Sequence, residues 1–165
     1  MTEVSGDTTT TMFDGMRRLL SGVTVITANN SKGERFAMTA SSVTSVSAEP
    51  PSLLVCINRQ ATLDHAILET QFFCVNVLAP KHKQISINCA TPEAGDSRFE
   101  HGHWQQDSKT GLFYLGDAQA VFICSKKATF EYGTHNIVVG DVTTTLIDAS
   151  EVSVLGYLNG SYLEL

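Results

Sequence analysis

A run of hydroxyl side chains is the first chemistry the sequence offers. Between Ala37 and Ser47, six of eleven residues are Ser or Thr: Thr39, Ser41, Ser42, Thr44, Ser45 and Ser47. Small hydroxyls leave nearby backbone N–H groups accessible and add directional hydrogen bonds, which suits a polar ligand wall. The same run suits a half-exposed strand with its hydroxyls in water, and spacing does not separate the two. Asn58-Arg59-Gln60-Ala61-Thr62 follows an apolar strand and precedes a helix. A helix N-terminus carries unpaired N–H groups and a dipole that favours an anion. Arg59 adds a charge-assisted partner for phosphate. The plain alternative is a strand-to-helix loop with Thr62 as its cap. His135, in Gly133-Thr134-His135-Asn136, opens a strand. There a ring either points into a pocket mouth or sits partly solvated in a turn.

What is absent narrows the chemistry. There is no G-x-G-x-x-G, no G-x-x-x-x-G-K-[ST], no H-E-x-x-H and no G-x-S-x-G, so Rossmann, P-loop, zincin and hydrolase mechanisms find no support. His82, His101 and His103 lack a fourth ligand at metal-site spacing; they read as solvated histidines, and no metal is expected. Of the four cysteines, Cys56, Cys74 and Cys124 lie inside apolar runs and none forms a C-x-x-C pair. They read as buried thiols, not disulfides. A net charge of -6 with no basic run disfavours nucleic acid and anionic membrane surfaces. No apolar run reaches spanning length, and the Thr-rich start has no signal-peptide pattern, so the expected compartment is the cytoplasm.

The elements that must position these residues are mostly strands. Residues 1–12 read as a flexible tail and 13–165 as one domain. Phe13, Met16, Leu19 and Leu20 predict a helix over 13–21, ended by Gly22. Strands are predicted at 23–28, at 36–46 with a bend near 40–42, at 52–57 and at 72–78. A helix over 63–68 and another after Pro80, with Ile85 and Ile87 inward, interrupt them. Residues 89–116 read as a long functional loop or surface excursion with aromatic anchors. Strands return at 118–127, 128–132 and 136–147, followed by a pair ending in Tyr157 and Tyr162. Brief helices among many strands argue for an antiparallel barrel, not βαβ units.

Taken in order, these segments resemble the flavin reductase-like family with its split-barrel FMN-binding fold. The resemblance is carried by Met16-Arg17-Arg18, Gly22-Val23-Thr24-Val25-Ile26-Thr27 and Met38-Thr39-Ala40-Ser41-Ser42-Val43. It continues through Pro50-Pro51-Ser52-Leu53-Leu54-Val55-Cys56-Ile57-Asn58, Cys74-Val75-Asn76-Val77-Leu78, Arg98-Phe99 ahead of Trp104, Gly133-Thr134-His135 and Gly140-Asp141-Val142. It spans about residues 13 to 163 and is similar above all to the reductase components of two-component flavin monooxygenases, such as 4-hydroxyphenylacetate 3-monooxygenase. Thr134 stands where many relatives have Asp. The resemblance implies a mainly β fold, a split Greek-key antiparallel barrel with short flanking helices, working as a homodimer. It implies an NADH- or NADPH-dependent reductase of FMN or FAD that supplies reduced flavin to a partner oxygenase. Thr39, Ala40, Ser41 and Ser42 would line the flavin, with Ser45 and Ser47 extending that wall. Asn58, Arg59, Gln60 and Ala61 would hold the phosphate end, Phe99 would lie in the loop over the flavin, and His135 would serve as the catalytic group near the nicotinamide. The rival readings are a flavin-binding carrier or redox sensor without turnover, a cofactor-free barrel module, and a pyridoxine-phosphate oxidase-like enzyme. The last lacks a basic cluster for a second phosphate.

Overall fold

The computed structural model describes residues 5–165, with the backbone alone at 92–94. Helix α1 (Thr8–Met16) begins earlier than the 13–21 expected, inside the stretch read as tail. Residues 1–4 of that stretch lie outside the described residues. The cause is Asp7, whose carboxylate accepts from the N–H groups of Thr9 and Thr10 at 3.3 and 3.0 Å and so sets the helix start. Leu19 and Leu20 fall beyond the helix, and with Phe13 and Met16 they stay exposed. Gly22 ends no helix; it pairs in β1 (Ser21–Gly22).

Seven strands then form one antiparallel sheet: β2 (Thr24–Asn29), β3 (Arg35–Ala40), β4 (Val43–Ala48), β5 (Pro51–Asn58), β6 (Phe72–Val77), β9 (Ala120–Tyr132) and β10 (His135–Ile147). Their order is β3-β2-β6-β9-β10-β5-β4. The two edge strands, β3 and β4, are neighbours in the chain, separated only by Ser41-Ser42. The sheet must therefore curl until its edges meet at that bend. There Ser42 accepts from the Cys56 N–H at 3.2 Å and its hydroxyl donates to the Cys56 carbonyl at 3.1 Å. The barrel is open between β3 and β4, because no ladder joins them. The stretch read as one bent strand is thus two strands on opposite edges.

Helix α2 (Thr62–Glu69) leaves β5 and buries Leu63, Ala66 and Ile67 among Ile26, Val55, Ile57, Phe73 and Val75. Each such large side chain contributes about 1.5–3 kcal/mol. The other face of the central strands is covered by α3 (Lys83–Ala90) and the hairpin of β7 (Trp104–Gln106) and β8 (Phe113–Leu115), with β11 (Leu155–Leu158) beside them. Strand β12 (Ser161–Glu164) pairs with β11 and sets Tyr157 opposite Tyr162. In α3, Ile85 is buried as expected, but Ile87 is 39% exposed, because it falls on the outer turn.

Residues 89–116 are not one irregular excursion. They hold the end of α3, a 3-10 segment (Pro92–Phe99) and the hairpin. Polar side chains of the barrel hold that hairpin down. The Thr27 hydroxyl donates to the Phe113 carbonyl at 2.5 Å, the Asn29 amide to the Gly111 carbonyl at 2.9 Å, and Asn76 Oδ1 accepts from the Leu115 N–H at 2.8 Å. Asn76 is fully buried and also donates to the Val25 carbonyl, so its amide bridges two layers. Buried amides are affordable only when satisfied on both sides.

His82 differs from the solvated histidine the sequence suggests. It is 2% exposed, its Nδ1 accepts from the Ala79 N–H at 3.1 Å, and Nε2 lies 3.2 Å from Asp117 Oδ1, off the line of a good hydrogen bond. Burial lowers its pKa below the usual 6.5, and Asp117 only partly opposes this. Below about pH 6.5 the unfolded chain binds a proton that folded His82 resists, so stability must fall as pH drops toward the folded value. We expect Tm to decrease between about pH 7 and pH 5, and His82→Gln to flatten that slope. Equal slopes for the two proteins in a thermal melt series would remove His82 from the acid response.

Candidate functional site

Four elements converge on a cavity of about 500 Å³, within the about 300–1,000 Å³ range of small-molecule sites. Strand β3 supplies Ala37, Met38 and Thr39. The turn from β5 into α2 supplies Asn58, Gln60, Ala61 and Thr62. Helix α3 supplies Cys89 and Ala90, and the 3-10 segment supplies Arg98. The turn is built locally: Asn58 Oδ1 accepts from the Gln60 N–H and the Asn58 carbonyl from the Ala61 N–H, both at 2.9 Å. This is an Asx turn, and it delivers the chain directly into the helix. The N-cap is Ala61, not Thr62, and no side chain caps the helix. The first N–H groups of α2 therefore lack a side-chain partner, as an anion site requires.

Arg98 organises the cavity. It is 6% exposed and donates to the Ala37 carbonyl at 3.1 Å, the Thr62 hydroxyl at 3.2 Å and the Thr91 carbonyl at 2.8 Å. One guanidinium thus ties β3, the start of α2 and the end of α3 together, and its charge borders the cavity. Thr39 adds a second tie, its hydroxyl donating to the Ser86 carbonyl of α3 at 2.6 Å. Cys89 is not a nucleophile here: burial pushes its thiol up to about 12, so it stays protonated at neutral pH. All four cysteines are free, as expected; Cys74, Cys89 and Cys124 are buried and Cys56 half-buried.

Of the residues singled out in the sequence, Thr39, Asn58, Gln60 and Ala61 line this cavity. Arg59 belongs to the same turn but points elsewhere, 3.4 Å from Glu131 in an exposed pair. Its N–H donates to the Thr134 carbonyl, which ties the turn to the β9–β10 end. His135 pairs directly across from Asn58 in the β10–β5 ladder. It is exposed, and its Nδ1 lies 2.9 Å from the Thr134 hydroxyl.

The hydroxyl run does not form one wall. Ala40 is a core residue whose carbonyl accepts from the Thr24 hydroxyl. Ser41 turns away into a separate cleft beside α1 and Tyr157, and the Ser42 hydroxyl donates to the Cys56 carbonyl of β5. Ser45 and Ser47 lie exposed on the edge strand β4, where Ser47 bonds to Glu49. Strand alternation and the bend at 41–42 scatter the run. Phe99 is 8% exposed and packs against Trp104 at 4.9 Å and Phe113 at 5.9 Å. Its neighbour Arg98 faces the cavity instead.

Comparison with known proteins gives a consistent picture. The family model described as flavin reductase like domain matches residues 16–165. The chain is 40% identical over 149 residues to the "FADH(2)-dependent resorcinol hydroxylase, reductase component" of Rhizobium sp. (strain MTP-10005), over 89% of this chain and 82% of that protein. It is 37% identical over 160 residues to the "Flavin reductase (NADH)" of Kitasatospora aureofaciens, over 96% of this chain and 81% of that one. Among solved structures, the NADH:FAD oxidoreductase of Streptomyces globisporus C-1027, in complex with NAD and FAD fragments, matches with a TM-score of 0.88 and 26% identity. That match covers 99% of this chain and 96% of the other.

Proposed function

The chain belongs to the flavin reductase-like family, and from that premise we propose that it is an NADH-dependent reductase of FMN or FAD. The observation that carries the reading is the cavity at the uncapped start of α2, walled by Thr39, Asn58 and Gln60 and bordered by buried Arg98. These residues fit a flavin. Ala37, Met38 and Ala61 give a flat ring apolar contact, Thr39, Asn58 and Gln60 meet its polar edge, and Arg98 with the α2 N–H groups meets its phosphate. When bound, the cofactors would supply the redox chemistry, hydride transfer from nicotinamide to flavin. What the chain does is bind, align and keep water out. His135 is the residue that would orient the nicotinamide, a role supported by its ladder position across from the cavity-lining Asn58.

The reduced flavin serves a partner oxygenase, a reading supported by the naming of a relative as a hydroxylase's reductase component. The working unit is a homodimer, supported by large apolar side chains left in water, among them Tyr132 at 81% and Ile147 at 75% exposed. The compartment is the cytoplasm, consistent with four free thiols. Among the described residues no helix is long and apolar enough to cross a membrane.

The test is steady-state NADH oxidation with added FMN or FAD, on protein sized by light scattering against its 17.9 kDa chain mass. Flavin-dependent turnover is expected from a species of twice that mass. His135→Ala should raise the KM for NADH about tenfold, a cost near 1.4 kcal/mol, with flavin affinity kept. Flavin binding without turnover would support the carrier or sensor instead, and an unchanged KM would take His135 out of the site.

A further inference from the structure

Asp64 is the third residue of α2 and is buried to 3% exposure in the first turn of the helix. Across from it on β10, Asn136 is 1% exposed, and its amide nitrogen donates to Asp64 Oδ1 at 2.7 Å. That bond turns the carboxylate toward β10. Among the described residues no N–H of α2 donates to the Asp64 side chain, and no Lys, Arg or His lies within ion-pair distance of it. Burying a carboxylate against a neutral amide costs stability, and an apolar residue of similar volume is often no worse at such a position. The helix dipole offsets part of that cost. A carboxylate that neither caps its helix nor pairs with a cation acts through its field, and inside a protein that field is weakly screened. The N–H groups of Thr62 and Leu63 precede it in the same turn. These are groups that the flavin reading gives to the phosphate.

We propose that Asp64 sets the affinity of the site for the flavin phosphate, a built-in counter-charge that keeps the phosphate loosely held. The inference rests on the flavin reductase reading. Asn136 holds the carboxylate on the β10 side, where it opposes the phosphate without occupying the N–H groups that bind it. The effect is one of charge and not of contact. It therefore acts on flavins that carry a phosphate and spares riboflavin, which has the same ring system and none. A loosely held phosphate suits a flavin that must leave once reduced, because release of a tightly bound product would limit turnover.

The experiment measures Kd for FMN and for riboflavin by flavin fluorescence, and the FMN dissociation rate by stopped flow, on the full chain and two variants. Asp64→Asn keeps the shape and removes the charge. Asp64→Ser also removes the charge and keeps a hydroxyl acceptor for Asn136. Asp64→Asn should tighten FMN about tenfold, mainly through slower release, with riboflavin changed less than twofold. If the substitution loosens the turn and weakens riboflavin as well, the ratio of the two Kd values decides, and it should still move about tenfold toward FMN. Should Asp64→Asn fail to fold, Asp64→Ser is read in the same way. An unchanged ratio in the neutral variants, with both flavins still bound, overturns the role of Asp64 alone and leaves it a residue of the helix. A parent chain that binds neither flavin overturns the reductase reading itself.

Discussion

Gly140→Ala should lower the stability of the chain by about 3 kcal/mol, with Tm down by about 9 °C for a domain of this size. The reason is steric, since Gly140 does not occupy the left-handed region. A Cβ at that position would stand 2.6 Å from Phe73 Cε1, 2.7 Å from its Cζ and 3.0 Å from Cys124 Cβ. Phe73 and Cys124 are fully buried in the barrel core, so neither can swing into solvent. The ladder between β9 and β10 shifts register at Val139/Gly140, and the bulge brings this backbone against the Phe73 ring. Gly22→Ala is the control, because nothing lies within 4 Å of its Cβ; it should change Tm little. Phe73→Leu combined with Gly140→Ala should recover part of the loss, the signature of direct contact. A Gly140→Ala melt within about 2 °C of the parent would show that the ring yields cheaply.

Much of this architecture is legible in the sequence, and what is not has identifiable causes. The β-branched runs at 23–28, 52–57 and 136–147 give their strands at once, because local propensity and burial agree there. The register shift at Gly140 left only a glycine as its trace. The seat of the hairpin at 111–115 comes from Thr27, Asn29 and Asn76, far away in the chain, so no local window contains it. The hydroxyl run at 39–47 is continuous in the sequence but divided in space, because the bend at Ser41-Ser42 sends its halves to opposite sheet edges. The turn at 58–61 is visible in a local window, since an Asx turn feeding a helix is a local event. Arg98 and Phe99 show the opposite limit. They are adjacent, and which of them faces the cavity depends on the path set at Gly95, whose φ of 54° and ψ of -133° suit glycine alone.

Arg98→Met should therefore be the substitution that separates scaffold from binding, and it should harm both. The methionine keeps volume but abandons the carbonyls of Ala37 and Thr91 and the Thr62 hydroxyl. Leaving such buried acceptors unpaired costs about 1–3 kcal/mol each at most, and we expect a net loss near 3 kcal/mol in denaturant unfolding. On the proposed reading flavin affinity should fall further than that scaffold damage explains, because a buried cation beside the α2 N-terminus would also face the phosphate. Comparing FMN with riboflavin divides the two effects. Riboflavin has no phosphate, so its Kd should rise only as far as the cavity wall loosens, about threefold, whereas FMN should weaken about a hundredfold. Arg98→Lys keeps the charge but cannot span three acceptors in one plane. It should restore part of the FMN preference over riboflavin while leaving most of the stability loss. Equal losses for FMN and riboflavin in Arg98→Met would confine Arg98 to holding β3, α2 and α3 together. In that case the phosphate would depend on the N–H groups of α2, and on Arg59 if it leaves Glu131.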